Sequence, residues 1–182
     1  FIKFLISFIF FILFWWAVQY LTKTPSYILP SPYIVFLSIL NNIELLTYHS
    51  LITFYEIIIG FLLGTILGLY TGILFIISKS TRKWLLPLII LTQAIPIFAI
   101  APILTLWVGY GIWSKIIMTI LIIYFPITIA FYDGLKRIDP MIVNLAKMMG
   151  ASTFMMLFKI RIPFALPQLS SGLKLAAAFA PM

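Results

Sequence analysis

The sequence contains no cysteine, one histidine and four acidic residues in 182. Without cysteine there is no disulfide, no thiolate nucleophile and no thiolate metal ligand. One histidine and four scattered carboxylates are too few for a metal cluster, so no metal, catalytic residue or cofactor is expected on this chain. Charge is scarce as well: charged residues make up 9% of the chain against 64% hydrophobic, with a mean hydropathy of +1.19. A soluble domain is about a quarter charged, so a freely soluble globular protein is excluded. The shortage of acids leaves a net charge of +8, which in a soluble chain would point to nucleic acid. Here the basic residues gather in the breaks between apolar runs, the pattern by which charge sets membrane topology, and no nucleic-acid partner is expected.

What the sequence has in abundance is long apolar runs. A crossing takes about 20 apolar residues. Runs at 3–22, 50–77, 84–108 and 112–132 are read as spans, and a fifth opens near Pro163. The first is longer than a signal-peptide core and has no small-residue cleavage site. From Ser31 a Ser-Pro start and helically spaced apolar residues predict a helix of about fifteen residues, short enough to lie at the interface. The expectation is one all-α membrane domain over 1–182, a polytopic helical bundle. The chain opens at Phe1 without a methionine and stops inside "LAAAFAPM", so a longer protein, truncated at its carboxyl end, is expected. With the amino terminus inside, Lys3, Lys79, Arg82, Lys83, Lys136, Arg137, Lys147, Lys159 and Arg161 are cytoplasmic, and Lys23 and Lys115 are outside.

Three features inside the spans carry functional readings. Gly60, Gly64, Gly68 and Gly72 form a bare stripe that lets a second helix approach closely, as static packing or as a sliding contact. Glu56, one turn earlier, is an ionisable group in a span; it is read either as part of a pathway or as an interfacial residue near the outer end. In the third span Pro96 and Pro102 each remove a helix hydrogen bond, with the amide of Gln93 at the same level; the segment is read either as part of a solute path or as a merely kinked packing helix. Trp107 and Tyr110 read as interfacial belt residues. An ion-coupled carrier would place several charged groups at the midplane, and only Glu56 is available. A membrane enzyme would have to use His49 with Glu56, and His49 sits at a boundary.

The stretch "DPMIVNLAKMMGASTFMMLFKIRIPFALP", 139–167, is neither a span nor an ordinary loop. Asp139-Pro140 is a helix start, with an acceptor at the cap and proline in the first turn. Met141, Leu145 and Met148, flanked by Ile142 and Met149, make one apolar face. Gly150 suits the left-handed residue that ends a helix, and Ser152 can cap a second short helix carrying Phe154. Two readings share this pattern: a methionine-rich face docking into a partner's groove, or helices lying flat on lipid.

This stretch resembles the cytoplasmic loop of the binding-protein-dependent permease subunits of ABC importers. That loop has the form E-A-A, three residues, Gly, nine residues, Ile-x-Leu-Pro. Gly150, Ile160, Ile162 and Pro163 match it, while the E-A-A positions hold Asn144, Leu145 and Ala146. The "ILPSP", "PILTLWVGYGIWSK" and "SSGLKLAAAFAP" stretches also look like the family. The resemblance implies the ABC importer permease fold, with about five of about six spans present, and a multi-pass protein of the bacterial cytoplasmic (inner) membrane. It implies a coupling loop over 133–162 that docks on a separate ATP-binding subunit through Met141, Asn144, Leu145, Ala146, Met148, Gly150, Ala151, Ser152 and Phe154. It also implies a second permease copy and an extracytoplasmic solute-binding protein. ATP and Mg²⁺ belong to the partner: no G-x-x-x-x-G-K-[ST] loop occurs in these 182 residues, so the chain is a transport subunit and not an enzyme. Sulfonate, taurine and nitrate permeases look similar. "QAIPIFAIAPILTLWVGYG", "FPITIAFYDGLKRIDP" and a glutamate at 56, where arginine is expected in many sulfonate-type relatives, look closer to the branch importing the hydroxymethylpyrimidine precursor of thiamine.

Overall fold

The computed structural model describes residues 2–181; Phe1, Met182 and the side chains of Ile97 and Phe98 lie outside that description. Among the described residues all regular structure is helical, in the order α1 (Ile2–Thr22), α2 (Pro32–Asn41), α3 (Ile43–Ile77), α4 (Lys79–Ala94), α5 (Ile97–Val108), α6 (Ile112–Lys136), α7 (Pro140–Met148), α8 (Thr153–Met156) and α9 (Ile162–Phe179). By length and composition α1, α3 and α6 can each cross a membrane, and α4 with α5 makes a fourth crossing if the bent pair counts as one. This is a helical membrane protein.

The chain divides into two compact units at Ile52/Thr53, within α3. In the first, α1 touches α2 and buries none of its residues. Its exposed surface is Phe, Ile and Leu, as hydrocarbon requires. α2 begins where the Ser-Pro signal places it: Ser31 Oγ accepts from Ile34 N at 3.4 Å, and Pro32 occupies the first turn. α3 starts seven residues before the expected span. At 35 residues it is about 52 Å long, well beyond a hydrocarbon core of about 30 Å.

The second unit is built around α6. Gly60 of α3 sits against Thr119, Gly64 against Ile123, Gly68 against Ile127 and Gly72 against Phe131; a Cβ on any of the four would come within 2.7–2.9 Å of a side-chain atom. Both partners rise together in steps of four, so α3 and α6 run parallel. Against α6 the register of α9 falls as that of α6 rises: Gly134 meets Ala165, and Gly172 meets Ala130 and the Pro126 carbonyl. These two helices are therefore antiparallel. Small residues at both contacts bring the backbones together, which is how membrane helices pack without a hydrophobic drive. Ile123, Ile127 and Ala176 fill one part of the core, and Phe131, Leu135, Leu157 and Ala165 another.

The connection between the parallel pair must return the chain across the bundle. The expected single span over 84–108 is instead two helices, with Lys79–Ala94 and Ala99–Val108 meeting at 109°. The cause is local. A residue before proline is pushed out of the helical region, and Ile95, preceding Pro96, is extended at φ −91°, ψ 120°. Pro102 stays inside α5.

The expected short second helix of the loop is not separate either. α8 starts at Thr153, runs through a π turn at Leu157–Arg161 and continues as α9 without a break. Pro163 has no N–H for the Lys159 carbonyl, and its ring crowds that group. The wider π turn accommodates both. α9 has 18 residues but is not among the helices apolar enough to be scored as a span, since it carries Gln168, two serines and Lys174.

Candidate functional site

Beyond the end of α6, a loop carries an exposed apolar surface. Asp139 Oδ1 accepts from Met141 N at 2.8 Å and caps α7. The helix ends in a Schellman motif: Gly150 N donates to the Lys147 carbonyl at 3.0 Å and Ala151 N to the Ala146 carbonyl at 2.9 Å. The motif requires a left-handed residue, and Gly150 has φ +80°. Nothing lies within 4 Å of a Cβ placed there, so the demand for glycine is conformational and not steric. Ser152 Oγ then accepts from Met155 N at 3.2 Å and starts the next helix.

The resulting surface is exposed and apolar. Met141 is 77% and Met148 86% exposed, with Leu145, Met149 and Phe154 exposed as well; the Phe154 and Phe158 rings pack at a tilt of 38°, with centroids 4.4 Å apart. Asn144 is exposed too, whereas Ala151 is half-buried. Ala146 departs from the expected docking set: it is buried, and its carbonyl closes the Schellman motif, so it holds the helix end in place. The root of the loop is tied to α6, because Arg161 Nη1 donates to the Leu135 carbonyl at 2.9 Å. That carbonyl lies in the last turn of α6, where the helix leaves acceptors free.

The other end of the α3/α6 pair carries the single ion pair found among the described residues. Lys115 Nζ stands 3.2 Å from Glu56 Oε1, close enough to pair but without hydrogen-bond alignment. Glu56 continues the glycine stripe by one turn and is buried, while Lys115 keeps most of its side chain in the open. Sequence reasoning had treated Glu56 as isolated. No local signal marked the pairing, because it depends on the register of α6 against α3.

Between these ends the bend of α4 and α5 opens a cavity of about 690 Å³ against α6 and α9, within the size range of ligand sites. Gln93 and Pro96 line it, opposite Phe125 and Pro126 of α6 and Ser171 and Phe179 of α9. Of the four residues expected in a path, the structure brings Gln93 and Pro96 together there; Pro102 and Glu56 lie outside the lining. Gln93 Nε2 reaches Thr92 Oγ1 at 3.5 Å. The sequence reading passed over Lys174, exposed on α9 one residue from the lining residue Leu175. Its signal, a lysine inside an apolar run, was visible.

A helical membrane bundle ending in a capped apolar loop agrees with the resemblance. Residues 60–181 match the family model described as "Binding-protein-dependent transport system inner membrane component". The chain belongs to this family of ABC importer permeases. It is 45% identical over 168 residues to a probable ABC transporter permease protein of Haemophilus influenzae, covering 92% of this chain and 69% of that one. It is 34% identical over 166 residues to the formylaminopyrimidine transport permease protein ThiX of Halalkalibacterium halodurans (91% and 66%). To a putative aliphatic sulfonates transport permease protein SsuC of Bacillus subtilis the identity is 31% over 169 residues (91% and 61%). The chain thus spans about two thirds of the length of these relatives.

Proposed function

We propose that this permease forms the membrane pathway of an ATP-driven importer for a small polar solute, with its α7–α8 loop docked on a separate ATP-binding subunit. The observation that carries this reading is the exposed Met141–Leu145–Met148 face, capped by Asp139, ended by Gly150 and tied to α6 through Arg161. An apolar patch of this kind outside the membrane helices suits a partner's groove. The loop would then be cytoplasmic, as its lysines and arginines favour. ATP and Mg²⁺ would be held by the partner, a solute-binding protein would deliver cargo from outside, and a second permease copy would complete the pathway.

For the cargo, the relative that is a formylaminopyrimidine permease supports a pyrimidine precursor of thiamine. The same machinery importing an alkanesulfonate or taurine is the alternative, favoured by the sulfonate and taurine relatives. The test is a ratio. Gly150→Val places a β-branched residue at φ +80°, a conformation costing roughly 1–2 kcal/mol. With the intact transporter in proteoliposomes, the variant should insert normally but take up far less solute per ATP hydrolysed. An unchanged ratio would count against docking and leave the loop as a lipid-surface element. Hydroxymethylpyrimidine, taurine and an alkanesulfonate offered in the same assay identify the cargo.

A further inference from the structure

α9 turns Ala165, Gly172 and Ala176 to the core, while Ser170, Ser171, Lys174, Ala177 and Ala178 are exposed. Positions i, i+1, i+4, i+7 and i+8 share one helix face. That face differs in kind from the exposed Phe, Ile and Leu of α1, and hydrocarbon is a poor solvent for it. Its depth follows from the antiparallel register. Gly172 packs at Pro126 and Ala130, and Lys174 lies half a turn further along. This puts Lys174 level with the middle of α6 (Ile112–Lys136), roughly 18 Å from either end of that helix. A lysine stem does not snorkel so far. Among the described residues no carboxylate lies within ion-pairing distance of Lys174. An ionisable group at membrane depth needs water or a counter-charge. Ser171, on the same face, lines the cavity that also holds Gln93.

We propose that this face of α9 is the wall of a water-filled solute pathway continuous with the cavity, and that Lys174 sets its charge preference. A fixed ammonium in a narrow path of low dielectric admits neutral and anionic solutes and turns cations away. The assignment rests on the reading of the chain as an importer permease and adds to it the pathway residues and the class of solute.

The 182 residues contribute no thiol of their own, which suits substituted-cysteine labelling of the intact transporter in proteoliposomes. The probes are two methanethiosulfonate reagents, one carrying a sulfonate and one a trimethylammonium. Ser171→Cys and Ala178→Cys should react with these membrane-impermeant probes, and Phe11→Cys on the lipid-like face of α1 should not. Adding Lys174→Gln to Ser171→Cys should lower the sulfonate-to-ammonium rate ratio about tenfold, the effect expected of one charge several ångströms away. Unreactive thiols at 171 and 178 that titrate normally after denaturation would overturn the pathway, and would mean that lipid or other protein covers the face. An unchanged ratio would overturn the charge role. Labelling needs no ATP, so it fails independently of the importer reading: a reactive face without ATP-driven uptake would sink the importer and keep the pathway, and uptake past an unreactive face would do the reverse.

Discussion

Glu56 and Lys115 divide a burden unevenly. The carboxylate is buried and the ammonium is mostly open to solvent, so removing one partner differs from removing the other. Lys115→Met leaves a buried carboxylate without its counter-charge. Such a loss costs about 3–5 kcal/mol for a fully buried pair and, with this ammonium so exposed, about 1–3 kcal/mol here. Glu56→Gln removes the buried charge itself and should fall within about 1 kcal/mol of the wild type. Thermal unfolding in detergent reads the difference, and equal losses in the two variants would show that the pair does not act as a buried charge with an open partner. Gly150 makes a separate point at this scale. The space around it is empty, so only its positive φ explains the residue, and every side chain with a Cβ should be resisted there whatever its size.

Among the elements, the α3/α6 contact is the tightest test of the fold. A Cβ at Gly64 would lie 2.7 Å from Ile123 and one at Gly68 2.9 Å from Ile127. Gly64→Leu should force the helices apart and destabilise by about 1–3 kcal/mol or more, the usual range for overpacking. Gly64→Leu with Ile123→Ala should recover part of that loss, because the two changes act on one contact. No recovery would mean that the backbones, and not these side chains, set the spacing. The α4/α5 bend and the π turn before α9 show the other use of an element. In both, a proline is the cause: at Pro96 it drives the preceding residue into an extended conformation, and at Pro163 the missing donor and the bulk of the ring are met by a wider turn.

For the whole molecule, parallel α3 and α6 put the α3–α4 turn at the same end as α7 and α8. The hydrogen bond from Arg82 Nη1 to the Tyr132 hydroxyl, 2.9 Å, joins the start of α4 to the end of α6 at that end. Gly109 to Gly111 then lies at the other end, with Lys115 and Glu56. With the α7–α8 loop cytoplasmic, as proposed above, impermeant thiol labelling should reach Tyr110→Cys in right-side-out vesicles, and Ser80→Cys and Lys147→Cys only in inverted ones. Ser80 and Lys147 labelled from opposite sides would break the parallel arrangement.

Composition and periodicity alone determined that this is a helical membrane protein. They also placed the glycine stripe, the cap at Asp139 and the left-handed turn at Gly150, because each rests on local chemistry: hydropathy, i+4 spacing, a side-chain acceptor, a residue without Cβ. The family was legible for the same reason, since its loop is a short linear pattern. The tertiary structure alone decided which helix fills the stripe, that Glu56 meets Lys115, that Ala146 faces inward, and that Gln93 and Pro96 share a cavity while Pro102 does not. Those depend on residues brought together from distant parts of the chain. They depend on the register of α6 against α3 and α9, which backbone approach sets and no single segment encodes.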